Sequence, residues 1–217
     1  MIWRAVGVAV ALAAAQVARA QDSLALPSLD PETTTQLSRI VDDTRSRGLP
    51  VEHILSKIRF AVMLHATPTR IVAAAQAVAT RLDAARDALA PRPLPSDIDA
   101  GEDALSFSVP REALLAVRAA LPNQPVAVPI GVLTQLVASG VPAKRATAIV
   151  TELIKRGASP TQFAVLGNDV DADVRRGTQP DAAAEVRMRG LTAVLPPASA
   201  ASAGVNTAAS TPGSKKP

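Results

Sequence analysis

Residues 140–162 read GVPAKRATAIVTELIKRGASPTQ, and they contain the glycine and proline punctuation that decides the fold. Gly140 and Pro142 precede a run of helix-forming residues, and Gly157 and Pro160 follow it. Proline suits the first turn of a helix, where its missing N–H costs nothing, while glycine adopts the left-handed conformation that closes a helix. The stretch therefore predicts one short helix that ends near Gly157 and a second that begins at Pro160.

The same punctuation recurs along the chain at roughly the spacing of one helix and one turn. Helix starts are predicted at Pro31, Pro50, Pro68, Pro110, Pro129, Pro142, Pro160 and Pro180, and helix ends at Gly48, Gly140, Gly157 and Gly177. Asp30 and Ser159 stand where side chains cap a helix, and Gln162 completes a capping box with Ser159. The sequence thus predicts an all-α fold of about eight short helices in two antiparallel units, as helical hairpins or a small bundle.

Composition divides the chain into six segments. They are a signal peptide (1–20), a flexible leader (21–29), a first helical unit of three helices (30–90), a proline-containing acidic linker (91–107), a second helical unit of about five short helices (108–194) and an Ala/Ser/Thr/Pro tail (195–217). The tail has too few large apolar residues to offset the entropy of ordering it, so we expect it to be disordered.

The amino terminus has the three parts of a secretory signal peptide. Residues 1–4 form a short cationic start with Arg4, residues 5–15 form an uncharged apolar run, and residues 18–20 read Ala-Arg-Ala, the small-x-small pattern that signal peptidase cleaves. We expect cleavage after Ala20, export to the periplasm or the extracellular space, and no transmembrane segment afterwards. The chain has no cysteine, which excludes a lipid-modified cysteine, disulfides and thiolate metal sites.

The formal net charge of the chain is +4, but the part predicted to fold is close to neutral. Arg4, Arg19, Lys215 and Lys216 lie in the signal peptide and the tail, and they account for the whole excess of basic residues. Nucleic-acid binding requires a clustered basic surface, commonly with aromatic stacking, and neither pattern is visible in the sequence. Nucleic acid is therefore not an expected partner.

The second and third predicted helices carry the candidate binding site. Residues 71–89 place Ile, Ala, Val, Leu, Ala and Leu at alternating intervals of four and three, a narrow seam suited to packing against another helix. An apolar ligand or partner groove is predicted between the two helices, with Ile54, Ile58, Phe60, Met63, Val78 and Leu82 as its residues.

The two histidines do not form a recognisable catalytic or metal motif. His53 and His65 are predicted on one helix, twelve residues apart, which places them about 120° apart around its axis. They therefore cannot easily share a metal ion. A site made of His53 and Ser56 lacks an oxyanion loop and a nucleophile elbow.

Two acidic groups remain as candidate cation sites. Asp97, Asp99, Glu102 and Asp103 surround Gly101, but their spacing departs from the calcium loop of an EF-hand, so a solvated acidic loop is the favoured interpretation. Asn168, Asp169, Asp171 and Asp173 lie on a predicted helix, where alternate positions point in different directions. The sequence predicts no catalytic residue, no cofactor and no metal site.

Aromatic content narrows the function classes further. After cleavage, Phe60, Phe107 and Phe163 are the remaining aromatic residues, which disfavours carbohydrate stacking and an interface anchored on aromatic side chains. We expect an exported, non-catalytic helical binding or structural module with a protein partner, of unknown identity, in the cell envelope. A carrier of a small apolar ligand and an extracytoplasmic hydrolase are the alternatives.

Overall fold

The computed structural model describes residues 29–197, and in that range the chain is helical with no strand. The helices are α1 (Pro31–Ser46), α2 (Glu52–Met63), α3 (Pro68–Ala88), α4 (Pro95–Ser106), α5 (Arg111–Ala120), α6 (Ala127–Ala138), α7 (Ala143–Lys155), α8 (Pro160–Arg175) and α9 (Pro180–Val194). The predicted all-α fold is confirmed. The predicted signal peptide, residues 21–28 of the predicted leader and residues 198–217 of the predicted tail lie outside the described range.

Local sequence signals account for most helix boundaries. Asp30 accepts a hydrogen bond from the N–H of Thr33 at 2.9 Å and so caps α1. Ser159 and Gln162 form the predicted reciprocal capping box at the start of α8. The glycines that were predicted to end helices all have positive φ, as residues in the left-handed conformation do: Gly48, Gly140, Gly157 and Gly177.

The apolar core of the described chain consists of two clusters of buried side chains. One joins α1, α2 and α3 and includes Ile98 of α4. The other begins at Ala88 and extends through the later helices to α9. Leu105 of α4 packs against both clusters. Helix α4, which lies on α3 and α6, therefore joins the two halves of the molecule.

The predicted linker over 91–107 is wrong for residues 95–106, which form α4. Pro95 occupies its first turn, and Asp97 at the third position hydrogen-bonds back to the N–H of Leu94 at 3.2 Å. Gly101 faces α3 so closely that an added Cβ would lie 2.8 Å from the Cβ of Ala85. The glycine that resembles a loop residue in the sequence is therefore the point at which two helices approach each other.

Three further boundaries differ from the sequence prediction. Helix α6 begins at Ala127, before Pro129, because Asp97 Oδ1 accepts hydrogen bonds from the N–H groups of Val126 and Ala127 at 2.8 and 2.9 Å. Helix α2 begins at Glu52, two residues after Pro50. Helix α2 ends at Met63, so that His65 lies beyond it with φ of +52° and does not share a helix with His53.

Candidate functional site

An open cleft of about 610 Å³ lies between α2, α3 and α4. We call it the α2–α4 cleft, and its walls include Glu52, His53, Phe60, Arg81, Glu102 and Asp103. Ile54, Leu55 and Ile58 are buried on one side of α2, which leaves His53 and Phe60 on the side that faces the cleft. The cleft is lined mainly by polar and charged side chains, with Phe60 and Val78 as its large apolar residues.

A compact group of ionisable side chains occupies one end of this cleft. We call it the His53 centre, and it consists of His53, Asp99, Glu102 and Asp103. The three acidic residues are at positions i, i+3 and i+4 of α4, so the helical period places them on one face. His53 is in the first turn of α2 and meets this face across the cleft.

Each ring nitrogen of His53 faces a carboxylate. Nδ1 is 3.1 Å from Glu102 Oε2 and 3.7 Å from Asp103 Oδ1. Nε2 is 3.5 Å from Asp99 Oδ1. That Asp99 oxygen is inaccessible to solvent and has no hydrogen-bond partner among residues 29–197. His53 is therefore enclosed by acidic groups on both edges of its ring.

Glu102 is the anchor of the centre. It is only 3% exposed, and its Oε1 accepts a hydrogen bond from Arg81 Nε at 2.8 Å while its Oε2 faces His53. Burial of a carboxylate is costly unless the charge is paired and hydrogen-bonded. Arg81 of α3 and His53 of α2 meet that requirement, so both oxygens of Glu102 are held in place.

Two carboxylates of the His53 centre, Asp99 and Asp103, have raised pKa values. Burial raises the pKa of Asp99, and the neighbouring charges of Asp103, Glu102 and Glu52 raise it further, against the opposing effect of His53. The pKa of Asp103 is likewise raised, first by burial and also by Glu102, again opposed by His53. The carboxylates of the centre therefore repel one another, and a bound cation would reduce this repulsion.

The mixed donor set has the composition of a metal site. One ligand atom from each of His53, Glu102 and Asp103 can be chosen so that all three lie within 4.8 Å of one another. An imidazole nitrogen with two carboxylate oxygens suits a divalent transition metal. Ser56 lies in the same cleft, but the ring nitrogens of His53 face Asp99, Glu102 and Asp103.

The predicted apolar groove does not form as one unit. Ile54, Ile58, Val78 and Leu82 are buried, and all four belong to the core cluster of the first three helices. Phe60 and Met63 are exposed at 49% and 65%. The structure therefore brings four of the six predicted residues together in the core, and Phe60 lines the same cleft as Val78.

The two acidic groups singled out in the sequence have different roles. Asp97 is separated from the other acids of α4, since it is buried and hydrogen-bonds to the start of α6. On α8, Asp169 and Asp173 both pair with Arg187 of α9 at 2.9 and 2.6 Å. These carboxylates neutralise an arginine and connect two helices.

A second surface feature lies at the carboxyl end of α2. Phe60, Met63 and Leu64 are exposed, at spacing i, i+3 and i+4, and Lys57 and Arg59 are exposed beside them. We call these five residues the α2 patch. Neither Lys57 nor Arg59 forms a salt bridge with another residue of the range 29–197. The patch therefore combines apolar area with positive charge.

Comparisons with known proteins do not indicate a function for this chain. No protein-family model matches the chain, and no curated protein or solved structure is significantly similar to it. Within the described residues, no helix combines the length and the apolar character that a membrane span requires.

Proposed function

We propose that this protein is an exported, non-catalytic helical binding module that docks a protein partner of the cell envelope on the α2 patch. The observation that carries the proposal is the exposure of three large apolar side chains, Phe60, Met63 and Leu64, beside an open cleft. Contiguous apolar residues on a water-soluble surface commonly mark a site of interaction with another molecule.

The chemistry of the patch indicates the kind of partner. Residues at i, i+3 and i+4 present a short apolar stripe, which is complementary to the apolar face of an amphipathic helix. Lys57 and Arg59 flank the stripe, so acidic residues beside the partner's apolar face would complement them. The proposed partner segment is therefore an amphipathic helix with acidic flanks.

A protein is favoured over a membrane surface by the small size of the patch, which has three large apolar and two basic side chains. Stable binding of a basic helix to anionic lipid normally draws on a longer apolar face and more basic residues than α2 offers.

Export is the second part of the proposal, and it rests on the sequence of residues 1–20. A cationic start, an apolar run and the Ala18-Arg19-Ala20 site together form a secretory signal. Amino-terminal sequencing of the protein from an envelope fraction tests it. We expect a chain that begins at Gln21; recovery of the intact Met1 terminus from the cytoplasm would contradict export.

The alternatives receive less support from the geometry. A carrier of an apolar ligand needs an apolar cavity, whereas Ile54, Ile58, Val78 and Leu82 pack inside the core and the cleft is lined mainly by charged groups. In a hydrolase built on His53 and Ser56, Nδ1 of His53 would hold a carboxylate and Nε2 would face the Ser56 hydroxyl, whereas here Nε2 faces Asp99 Oδ1 at 3.5 Å.

Site-specific photo-crosslinking in native cells tests docking on the patch. A photoreactive phenylalanine analogue is placed at Met63, and in a separate variant at Val186 of α9, which is 61% exposed and so a matched control. We expect one discrete protein adduct from position 63 and none from position 186. Lipid adducts alone, equal adducts from both positions or no adduct at position 63 would overturn the proposal.

A further inference from the structure

We propose that the His53 centre binds one divalent transition-metal ion, Zn²⁺ foremost, with His53 Nδ1, a Glu102 oxygen and an Asp103 oxygen as its ligands. This site is distinct from the α2 patch and does not require a docked partner. The sequence did not predict it, because His53 lies more than forty residues from the α4 carboxylates.

The distances between the ligand atoms fit a metal ion. A tetrahedral ion with ligand bonds of about 2.0–2.2 Å separates its ligand atoms by about 3.3–3.6 Å. Nδ1 of His53 is 3.1 Å from Glu102 Oε2 and 3.7 Å from Asp103 Oδ1, values that bracket this separation. These two separations match two edges of such a tetrahedron, one ligand atom from each of the three residues lies within 4.8 Å of the other two, and water would supply the fourth ligand.

The surrounding residues provide the outer contacts that metal ligands normally have. A ligating histidine usually donates its other ring N–H to a carboxylate or carbonyl, which fixes the orientation of the ring. Nε2 of His53 faces Asp99 Oδ1, a buried oxygen without a hydrogen-bond partner in the part of the chain that the structure describes. Arg81 in turn holds Oε1 of Glu102 and leaves Oε2 toward His53. These contacts orient two ligands, His53 and Glu102, toward one point.

The donor set also selects the class of metal. Calcium prefers six to eight oxygen ligands and magnesium keeps several waters, so neither makes use of an imidazole. One imidazole nitrogen with two carboxylates suits Zn²⁺ and neighbouring divalent transition metals. On binding, a proton at His53 Nδ1 leaves to solvent and the ion takes its place, while Nε2 keeps its proton for Asp99.

Isothermal titration of the full chain with ZnCl₂ tests the site, with protein that is first treated with chelator and carries no affinity tag. We expect one ion per chain. His53→Gln should lower the affinity more than about 100-fold, and Asp99→Asn about 10- to 100-fold, because it removes an outer contact. His65→Gln is the matched control, since His65 is exposed outside α2, and it should bind as the wild type does.

Asp103→Asn tests the carboxylate ligands. The Asp103 side chain is 57% exposed, whereas Glu102 is buried, so Asp103 is the better position for this substitution. Far-UV circular dichroism verifies that each variant remains folded. Substitution with Co²⁺ adds a spectroscopic readout: the visible absorption of tetrahedral Co²⁺ should appear in the wild type and disappear in His53→Gln. Absence of Zn²⁺ binding, or affinity that is unchanged in both His53→Gln and Asp103→Asn, would overturn the proposal.

Discussion

The Nε–H of Arg81 on α3 donates a hydrogen bond to Glu102 Oε1 on α4 at 2.8 Å, and this contact fixes the carboxylate at the base of the cleft. Glu102 is almost fully buried, while Arg81 retains partial contact with water. The pair therefore joins two helices at the point where α2 also arrives through His53. Loss of the Arg81–Glu102 hydrogen bond should lower the stability of the fold and change the geometry of the cleft.

Arg81→Met should lower the free energy of unfolding by about 2 kcal/mol, because it leaves one oxygen of a buried carboxylate without its donor. Urea denaturation followed by circular dichroism measures this. Arg45→Met is the control, since Arg45 and Asp42 form an exposed pair within α1, and it should change stability by less than about 0.5 kcal/mol. Equal losses in the two variants would show that Glu102 does not depend on Arg81.

Asp97→Ala should be the most destabilising single change in α4. Asp97 is 1% exposed, and it accepts hydrogen bonds from the N–H groups of Val126 and Ala127 and from Arg118 Nη2 at 2.8, 2.9 and 3.1 Å. Removing it leaves the N–H groups of Val126 and Ala127 without their side-chain acceptor and the largely buried guanidinium of Arg118 without its counter-ion, a loss of about 3–5 kcal/mol.

Asp97→Asn separates the two roles of this carboxylate. Its amide oxygen can still accept from α6, but its NH₂ group then faces the Arg118 donor, so the loss should fall between those of the wild type and Asp97→Ala. Thermal and urea unfolding provide the comparison. An alanine variant as stable as the wild type would contradict the capping role.

Two glycine-to-alanine substitutions should change stability in opposite directions. At Gly101 the new Cβ would lie 2.8 Å from Ala85 Cβ and 3.2 Å from Leu89 Cδ1, so overpacking should cost about 1–3 kcal/mol. At Gly131 in α6 nothing lies within 4 Å, and alanine should stabilise the helix by up to about 1 kcal/mol. Equal stabilisation at both positions would contradict the close approach of α3 and α4.

Asp173 should titrate well below an ordinary aspartate. Hydrogen bonds from Arg187 and Arg176 lower its pKa from 3.8 to about 2. Because the folded pKa is depressed, its contribution to stability is complete above pH 3.8 and is lost as the pH falls toward 2. Carbon-detected NMR of the Asp173 carboxyl measures the midpoint, which should move back toward 3.8 in Arg187→Gln. A midpoint that this substitution leaves unchanged would exclude Arg187 as the principal cause.

Local signals in the sequence were sufficient to predict most of the fold. The cap at Asp30, the capping box at Ser159 and Gln162, and the glycines that end helices each act within a few residues, and the structure reproduces them. The apolar seam of α3 was also readable, since a period of four and three identifies a buried face without knowledge of its partner.

Helix α4 was missed because its local composition resembles a loop. Four acidic residues around Gly101, with several prolines before them, are typical of a solvated turn. Pro95 followed by Asp97 is the signal that could have indicated a helix start, with proline in the first turn and an acid at the third position. Read as a helix, the segment places Asp99, Glu102 and Asp103 on one face.

The candidate site could not be assembled from the sequence for a different reason. His53 meets the α4 carboxylates through tertiary packing, because α2 and α4 both lie against α3. No periodicity encodes a contact across that separation. The sequence also did not predict that Phe60 and Met63 are exposed. Both lie in the last turn of α2, which is outside the core.

Copurification from the native envelope tests the central claim, docking of a partner on the α2 patch, most directly. Wild-type protein, the double variant Met63→Glu/Leu64→Glu and the control Val186→Glu/Val194→Glu are expressed at equal levels, and all four positions are exposed in the structure. We predict that one partner is recovered at equal yield with the wild type and the control, and at least about tenfold less with the α2 variant. Recovery of the same partner at equal yield with all three proteins would contradict the account.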